Sequence, residues 1–175
     1  THPGYLAHYQ EEYKMLMDVC QLVCDAMGFT QGAIQRHMKA MLANIIDNIP
    51  YMKGAIPLAR LVKYWDTDIP VIMVAAGPSL KKNLEVLRQI DQRAYIFCLD
   101  AALSTLLRAG IVPDLVGSTD GIKNMICFEE PGSFDIPYLV TSNTKHEIIK
   151  NLTNAKIFGY DHRAVRIMYE KQGIE

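Results

Sequence analysis

The chain has 175 residues, half of them hydrophobic and 21% charged, with a formal net charge of −1. That is room for one ordinary domain with a real core. The near-neutral balance offers no basic footprint for nucleic acid, and no apolar run approaches the roughly 18 residues of a membrane span. Neither nucleic acid nor a membrane is an expected partner.

The N-terminus, "THPGYLAHYQEEYK", lacks the apolar centre of a signal peptide, so the cytoplasm is the expected compartment. It also lacks an initiator Met, which suggests a fragment or a processed chain. The cysteines Cys20, Cys24, Cys98 and Cys127 form no C-x-x-C pair and read as reduced thiols. Cys20 and Cys24 lie four apart on a predicted helix, but two thiols with no histidine at ligand spacing do not make a metal site.

In chain order, apolar residues at three- and four-residue steps predict a helix from Tyr5 to Met27, stopped by Gly28. A second helix is predicted from about Ala33 to Ile49, halted by Pro50. "YMKGAIPLARLVKYW" reads as a loop and a short helix from Pro57, and "DTDIP" as a linker. Residues 1–69 thus form an expected N-terminal helical segment. From Val71 the period changes. "VIMVAA" is a continuous apolar run of strand length, the kind buried on both faces of a parallel sheet. A helix follows with Leu80, Leu84, Leu87 and Ile90 on one face. "AYIFCL" is a second strand, "AALSTLLRA" a helix closed by Gly110, and "LVGST" a third strand. "YLVTS" is a fourth strand, and Thr144-Lys145-His146-Glu147 reads as a capping box opening a helix to about Asn151. "KIFGY" is a fifth strand and "RAVRIMYEK" the helix after it. This alternation predicts an α/β fold in residues 70–175, a Rossmann-like, doubly wound, mainly parallel sheet. The chain stops just after a helix, where such a sheet could continue, which again suggests truncation.

In an open parallel sheet ligands bind beyond the carboxyl ends of the strands. Four expected strands end in polar residues or glycine: Gly77-Pro78-Ser79, Asp100, Ser118-Thr119-Asp120 and Thr141-Ser142-Asn143. Parallel pairing would point all four sets into one crevice. Gly77 would permit a tight turn and close ligand approach, and Ser79 is a natural N-cap. Lys81 and Lys82 oppose the helix dipole in the first turn unless an anion sits there. The stretch is neither G-x-G-x-x-G nor a Walker loop. Asp100 reads equally as a ligand for ribose or magnesium and as a helix cap. Asp114 reads as a turn residue. Asp120 stands as a catalytic candidate, and His146 as a weaker acid or base.

"PVIMVAAGPSL", "LDAALSTLLRAGIVPDLVGSTD" and "NIIDNIP" together resemble the motility accessory factor family, which includes proteins similar to archaeal 6-hydroxymethylpterin diphosphokinase. The G-P-S-L turn is also similar to one in bacterial sialyltransferases. The resemblance implies a Rossmann-like domain binding a nucleotide or nucleotide sugar, with Gly77, Pro78, Ser79 and Leu80 as the nucleotide-side loop. It implies Asp100 and Asp120 as the polar residues after the second and third strands, and Ser142 and Asn143 as further nucleotide contacts. Ala76 stands where related loops often have glycine, and family members usually run well past the point matching Glu175. The leading expectation is a glycosyltransferase-type domain moving a sugar from a nucleotide sugar to a protein hydroxyl, flagellin being one possible acceptor. The second is an ATP-dependent diphosphokinase acting on a hydroxymethylpterin, with magnesium held by Asp100 and Asp120. The third is a non-catalytic nucleotide- or partner-binding module, with the Met- and Tyr-rich N-terminal helices as an interface.

Overall fold

The computed structural model describes residues 31–52, 54–62, 68–90 and 93–159, together with isolated helical positions 10, 11, 14 and 18. Of the helix expected at Tyr5–Met27 only those four positions are described, and "RAVRIMYEK" lies outside the described residues. The described elements are α1 (Gln31–Met52), β1 (Ile56–Pro57), α2 (Leu58–Val62), β2 (Val71–Val74), α3 (Leu80–Arg88), β3 (Tyr95–Leu99) and α4 (Asp100–Arg108). They continue with β4 (Leu115–Ser118), a 3₁₀ turn (Met125–Phe128), β5 (Tyr138–Val140), α5 (His146–Asn151) and β6 (Lys156–Phe158).

All pairings in the six-stranded sheet are parallel, in the order β1-β6-β5-β4-β3-β2. From β2 to β6 each strand lies beside the one before it, and the right-handed crossover rule then puts the intervening helices on one face. The step from β1 to β2 runs the opposite way across the sheet. The fold is Rossmann-like α/β. By compactness the chain divides into Thr1–Lys39 and Ala40–Glu175, so the later part of α1, β1 and α2 belong with the sheet. That division falls well before the change of pattern at residue 70. The sequence gives no strand at Ile56–Pro57 because two residues are too few to show alternation; β1 exists through its pairing with β6.

The core gathers Leu80 and Leu87 of α3, Ala102, Leu103 and Leu106 of α4, and Ile148 and Ile149 of α5 against Cys98, Val116, Tyr138 and Val140. Helix α4 ends as the sequence predicts. Gly110 has φ +71, with Gly110 N–H donating to Leu107 O and Ile111 N–H to Leu106 O, the paired bonds of a Schellman motif. Three local expectations are corrected. Helix α1 runs through Pro50 to Met52, because a proline near the end of a helix removes one bond and Met52 gains complete burial. Strand β2 is outermost among the described residues, so Val74 is buried while Val71 and Met73 stay exposed, unlike a strand covered on both faces. The capping box at Thr144 does not form. Helix α5 starts at His146, since Thr144 is fully buried and its hydroxyl donates to Ser118 O at 2.8 Å.

Candidate functional site at the strand tips

The polar strand ends do converge. β2, β3, β4 and β5 are neighbours and parallel, so residues 75–79, Asp100, 118–120 and 141–143 share one edge of the sheet. Ser118 pairs with Val140, and the Leu99–Gly117 and Val74–Cys98 pairings, carried past the strand ends, bring Asp100 level with Ser118 and Ala76 level with Asp100. A cavity of about 490 Å³ lies at the other edge, lined by Ile69, Tyr95, Ile111 and Asp114 among others, and takes no part in this site. There Asp114 does the structural work expected of it. Its Oδ2 accepts from Ile96 N at 2.7 Å and its N–H donates to Ile96 O.

Residues 75–79 are all exposed. Gly77 N–H donates to Ala75 O at 2.8 Å, Leu80 N–H to Gly77 O at 3.0 Å and Lys82 N–H to Ser79 O at 3.1 Å. Two amides at the start of α3 are therefore spent inside the turn. Ser79 occupies the N-cap position, but its side chain makes no capping bond. Leu80 is a core residue, 7% exposed, so only its backbone borders the crevice. Gly77 is not in the left-handed region, and a Cβ there would meet only Ser79 Oγ at 3.8 Å. Neither the turn nor the packing requires glycine at this position.

Asp100 is the first residue of α4 and is buried, at 7% exposure. An acid at a helix N-terminus suits the dipole. Its Oδ2 accepts from Ser118 Oγ at 2.7 Å, and its Oδ1 lies 2.6 Å from Lys123 Nζ. Burial draws the Lys123 ammonium down, but the Asp100 carboxylate outweighs that and leaves it above the usual lysine value. Asp120 is exposed; its Oδ1 accepts from Ile122 N and its carbonyl from Lys145 N. Both Asp100 oxygens thus have protein partners, Ser118 Oγ and Lys123 Nζ, whereas Asp120 faces solvent. No group of three or more His, Cys, Asp or Glu suited to a metal ion occurs among the described residues.

Ser142 is fully buried, and its carbonyl accepts from Asn48 Nδ2 at 2.9 Å. Asn143 Oδ1 accepts from Thr141 Oγ1 at 2.6 Å. These loops are held by two residues the sequence reading did not single out. Asn44 and Asn48 lie one turn apart on α1 and so share a face. Asn44 Nδ2 donates to Gly121 O at 2.8 Å and Asn143 O at 3.3 Å, while its Oδ1 accepts from His146 N. Asn48 Nδ2 donates to Ser142 O and to Thr144 O at 2.8 Å. With that amide nitrogen so engaged, Asn48 Oδ1 must be the acceptor for His146 Nδ1 at 3.0 Å, which assigns the proton to Nδ1. The imidazole also meets Tyr51 edge-on, with ring centroids 5.3 Å apart. The available signal was polar residues at i and i+4 in an apolar helix, a pattern that needs a tertiary partner.

A family model described as 6-hydroxymethylpterin diphosphokinase MptE-like matches residues 43–174. An uncharacterized protein of Treponema pallidum (strain Nichols) is 26% identical over 153 residues, covering 83% of this chain and 70% of the relative. The solved structure of MAf glycosyltransferase from Magnetospirillum magneticum AMB-1 is similar at 20% identity and TM-score 0.46, over 54% of this chain. This chain spans 16% of the length of that protein.

Proposed function

The chain belongs to the 6-hydroxymethylpterin diphosphokinase MptE-like family, and on that premise we propose that it is a nucleotide-dependent transferase domain whose donor phosphates sit at the tips of β2 to β5. The observation that carries this reading is Gly77. The protein itself gives no reason for a glycine in that exposed turn, whereas a ligand pressed against the backbone would. The N-terminal ends of α3 and α4 lie at the same edge, and helix N-termini favour anions.

Two transfers fit such a site. In glycosyl transfer an acceptor hydroxyl forms a bond to the anomeric carbon of a nucleotide sugar. The bond from that carbon to phosphate oxygen breaks, and the electron pair leaves with the nucleotide. The site's part is to hold the leaving phosphate and meet its developing charge. Asp120, exposed at the end of β4, would take the hydroxyl proton. This chemistry calls for no metal held by the protein. The second transfer, of diphosphate from ATP to a hydroxymethylpterin, is favoured by the description of the family. Magnesium would then enter bound to ATP. Among the described residues no helix is long and apolar enough to cross a membrane.

The test is a thermal-shift panel of CMP, CDP, UDP, GDP, ATP and a dihydropterin, with and without magnesium. A ligand that binds only the folded state raises the melting temperature by mass action. Stabilisation by CMP without metal supports sugar transfer, and stabilisation by ATP only with magnesium supports diphosphate transfer. No stabilisation by any nucleotide refutes both.

A further inference from the structure

Resting on that reading, we propose that Lys123, rather than Asp100, is the side chain that meets the phosphate of the ligand, and that Asp100 is a positioning residue that aims it. Asp100 is buried, and each of its oxygens already has a protein partner: Ser118 Oγ lies 2.7 Å from one and Lys123 Nζ 2.6 Å from the other.

Lys123 is placed differently. It lies in the loop between β4 and the 3₁₀ turn, and its side chain reaches across to the tip of β3. There the side chain is 18% exposed, so it is held in place and still accessible. An ammonium has three N–H donors in rotatable geometry. Among the described residues Asp100 Oδ1 is its hydrogen-bond acceptor, which leaves two donors for a ligand. The strand register brings residue 76 level with Asp100, so the exposed 77–79 turn is the neighbouring surface. The cation also stands beside the N-terminus of α4, where the helix dipole repels a positive charge. Asp100 offsets that repulsion in the free protein. A phosphate dianion would offset it more fully, and the ammonium could bridge carboxylate and phosphate without leaving Asp100.

Burying an ion pair gains little for stability compared with apolar packing. A cation kept at that cost at the strand tips fits an anion site better than a structural one. The sequence did not disclose it, because Lys123 in "DGIKNMI" reads as a solvated loop lysine.

The experiment compares matched ligands on the full chain by calorimetry: CMP against cytidine, and ATP with magnesium against adenosine. The proposal expects Lys123→Gln to weaken the nucleotide that binds by about tenfold or more, the worth of one charge-assisted hydrogen bond. Nucleoside binding should stay unchanged. Lys123→Arg should keep most of the affinity. Asp100→Asn should weaken the nucleotide selectively but less than Lys123→Gln. Nucleotide affinity unchanged in Lys123→Gln overturns the assignment while leaving the transferase reading standing. Failure of the wild-type chain to bind any nucleotide overturns both. Should Lys123→Gln not fold, NMR of the wild-type chain with ¹³C-methylated lysines replaces it, with the Lys123 signal assigned through Lys123→Arg. That signal must move with the nucleotide and not with the nucleoside; a signal that stays put refutes the proposal.

Discussion

Asn48 illustrates how much of this site depends on single side chains. One amide satisfies two buried carbonyls, Ser142 O and Thr144 O, and also holds the His146 ring. Asn48→Ala would leave those carbonyls without a donor, and a buried unpaired polar group costs about 1–3 kcal/mol. A loss of about 3 kcal/mol in urea unfolding is expected, with the 141–146 loop losing its amide protection. Gly121 is constrained from the other side: a Cβ there would lie 2.8 Å from Asn143 O and 3.1 Å from Asn44 Nδ2. Gly121→Ala must therefore push backbone apart, and overpacking of this kind costs about 1–3 kcal/mol. Gly77 makes the contrasting case. Gly77→Ala should leave the urea midpoint unchanged within about 0.5 kcal/mol and still reduce nucleotide affinity. Equal loss of stability at both glycines would show that the 77–79 turn is structural.

At the scale of elements, helix ends divide into those fixed locally and those fixed by distant partners. Gly110 closes α4 by a local rule, so its role was readable in the sequence. Gly110→Ala would force an L-residue into the left-handed region at about 1–2 kcal/mol, checked by thermal unfolding. The start of α5 obeys no local rule. Thr144 has the spacing of a cap, yet Ser118 O, 26 residues earlier in the chain, takes its hydroxyl. Likewise the strand tips after β2, β3, β4 and β5 were legible, because apolar runs ending in glycine or acid mark them. The roles of Asp100 and Leu80 there were not. An aspartate after a buried strand looks the same whether it faces a ligand or a lysine 23 positions away, and only the fold brings Lys123 to it. The pin formed by α1 was equally hidden, since Asn44 and Asn48 meet partners about a hundred residues later.

Over the whole molecule the family resemblance read from G-P-S-L and two strand-end aspartates is shown by the match over residues 43–174. The core beneath those tips makes its own prediction. Burial, reinforced by the Asp100 charge, pushes the Cys98 thiol up to about 12, and burial likewise raises Tyr138. Both groups stay protonated in the folded chain while the unfolded chain loses their protons, so the stability they contribute is present below about pH 8.5 and falls as pH rises toward 12. Cys98→Ala should flatten the early part of that alkaline loss in pH-dependent urea titrations. In the native protein Cys98, fully buried, should resist alkylation at pH 8. The most direct test of the central claim is to titrate the ¹⁵N-labelled chain with the nucleotide that gives the largest thermal shift and map the amide changes. The account predicts changes at residues 76–82, 100–101, 118–123 and 141–143. Changes confined to Ile69, Leu87, Ile111 and Asp114, around the cavity at the opposite edge, would contradict it.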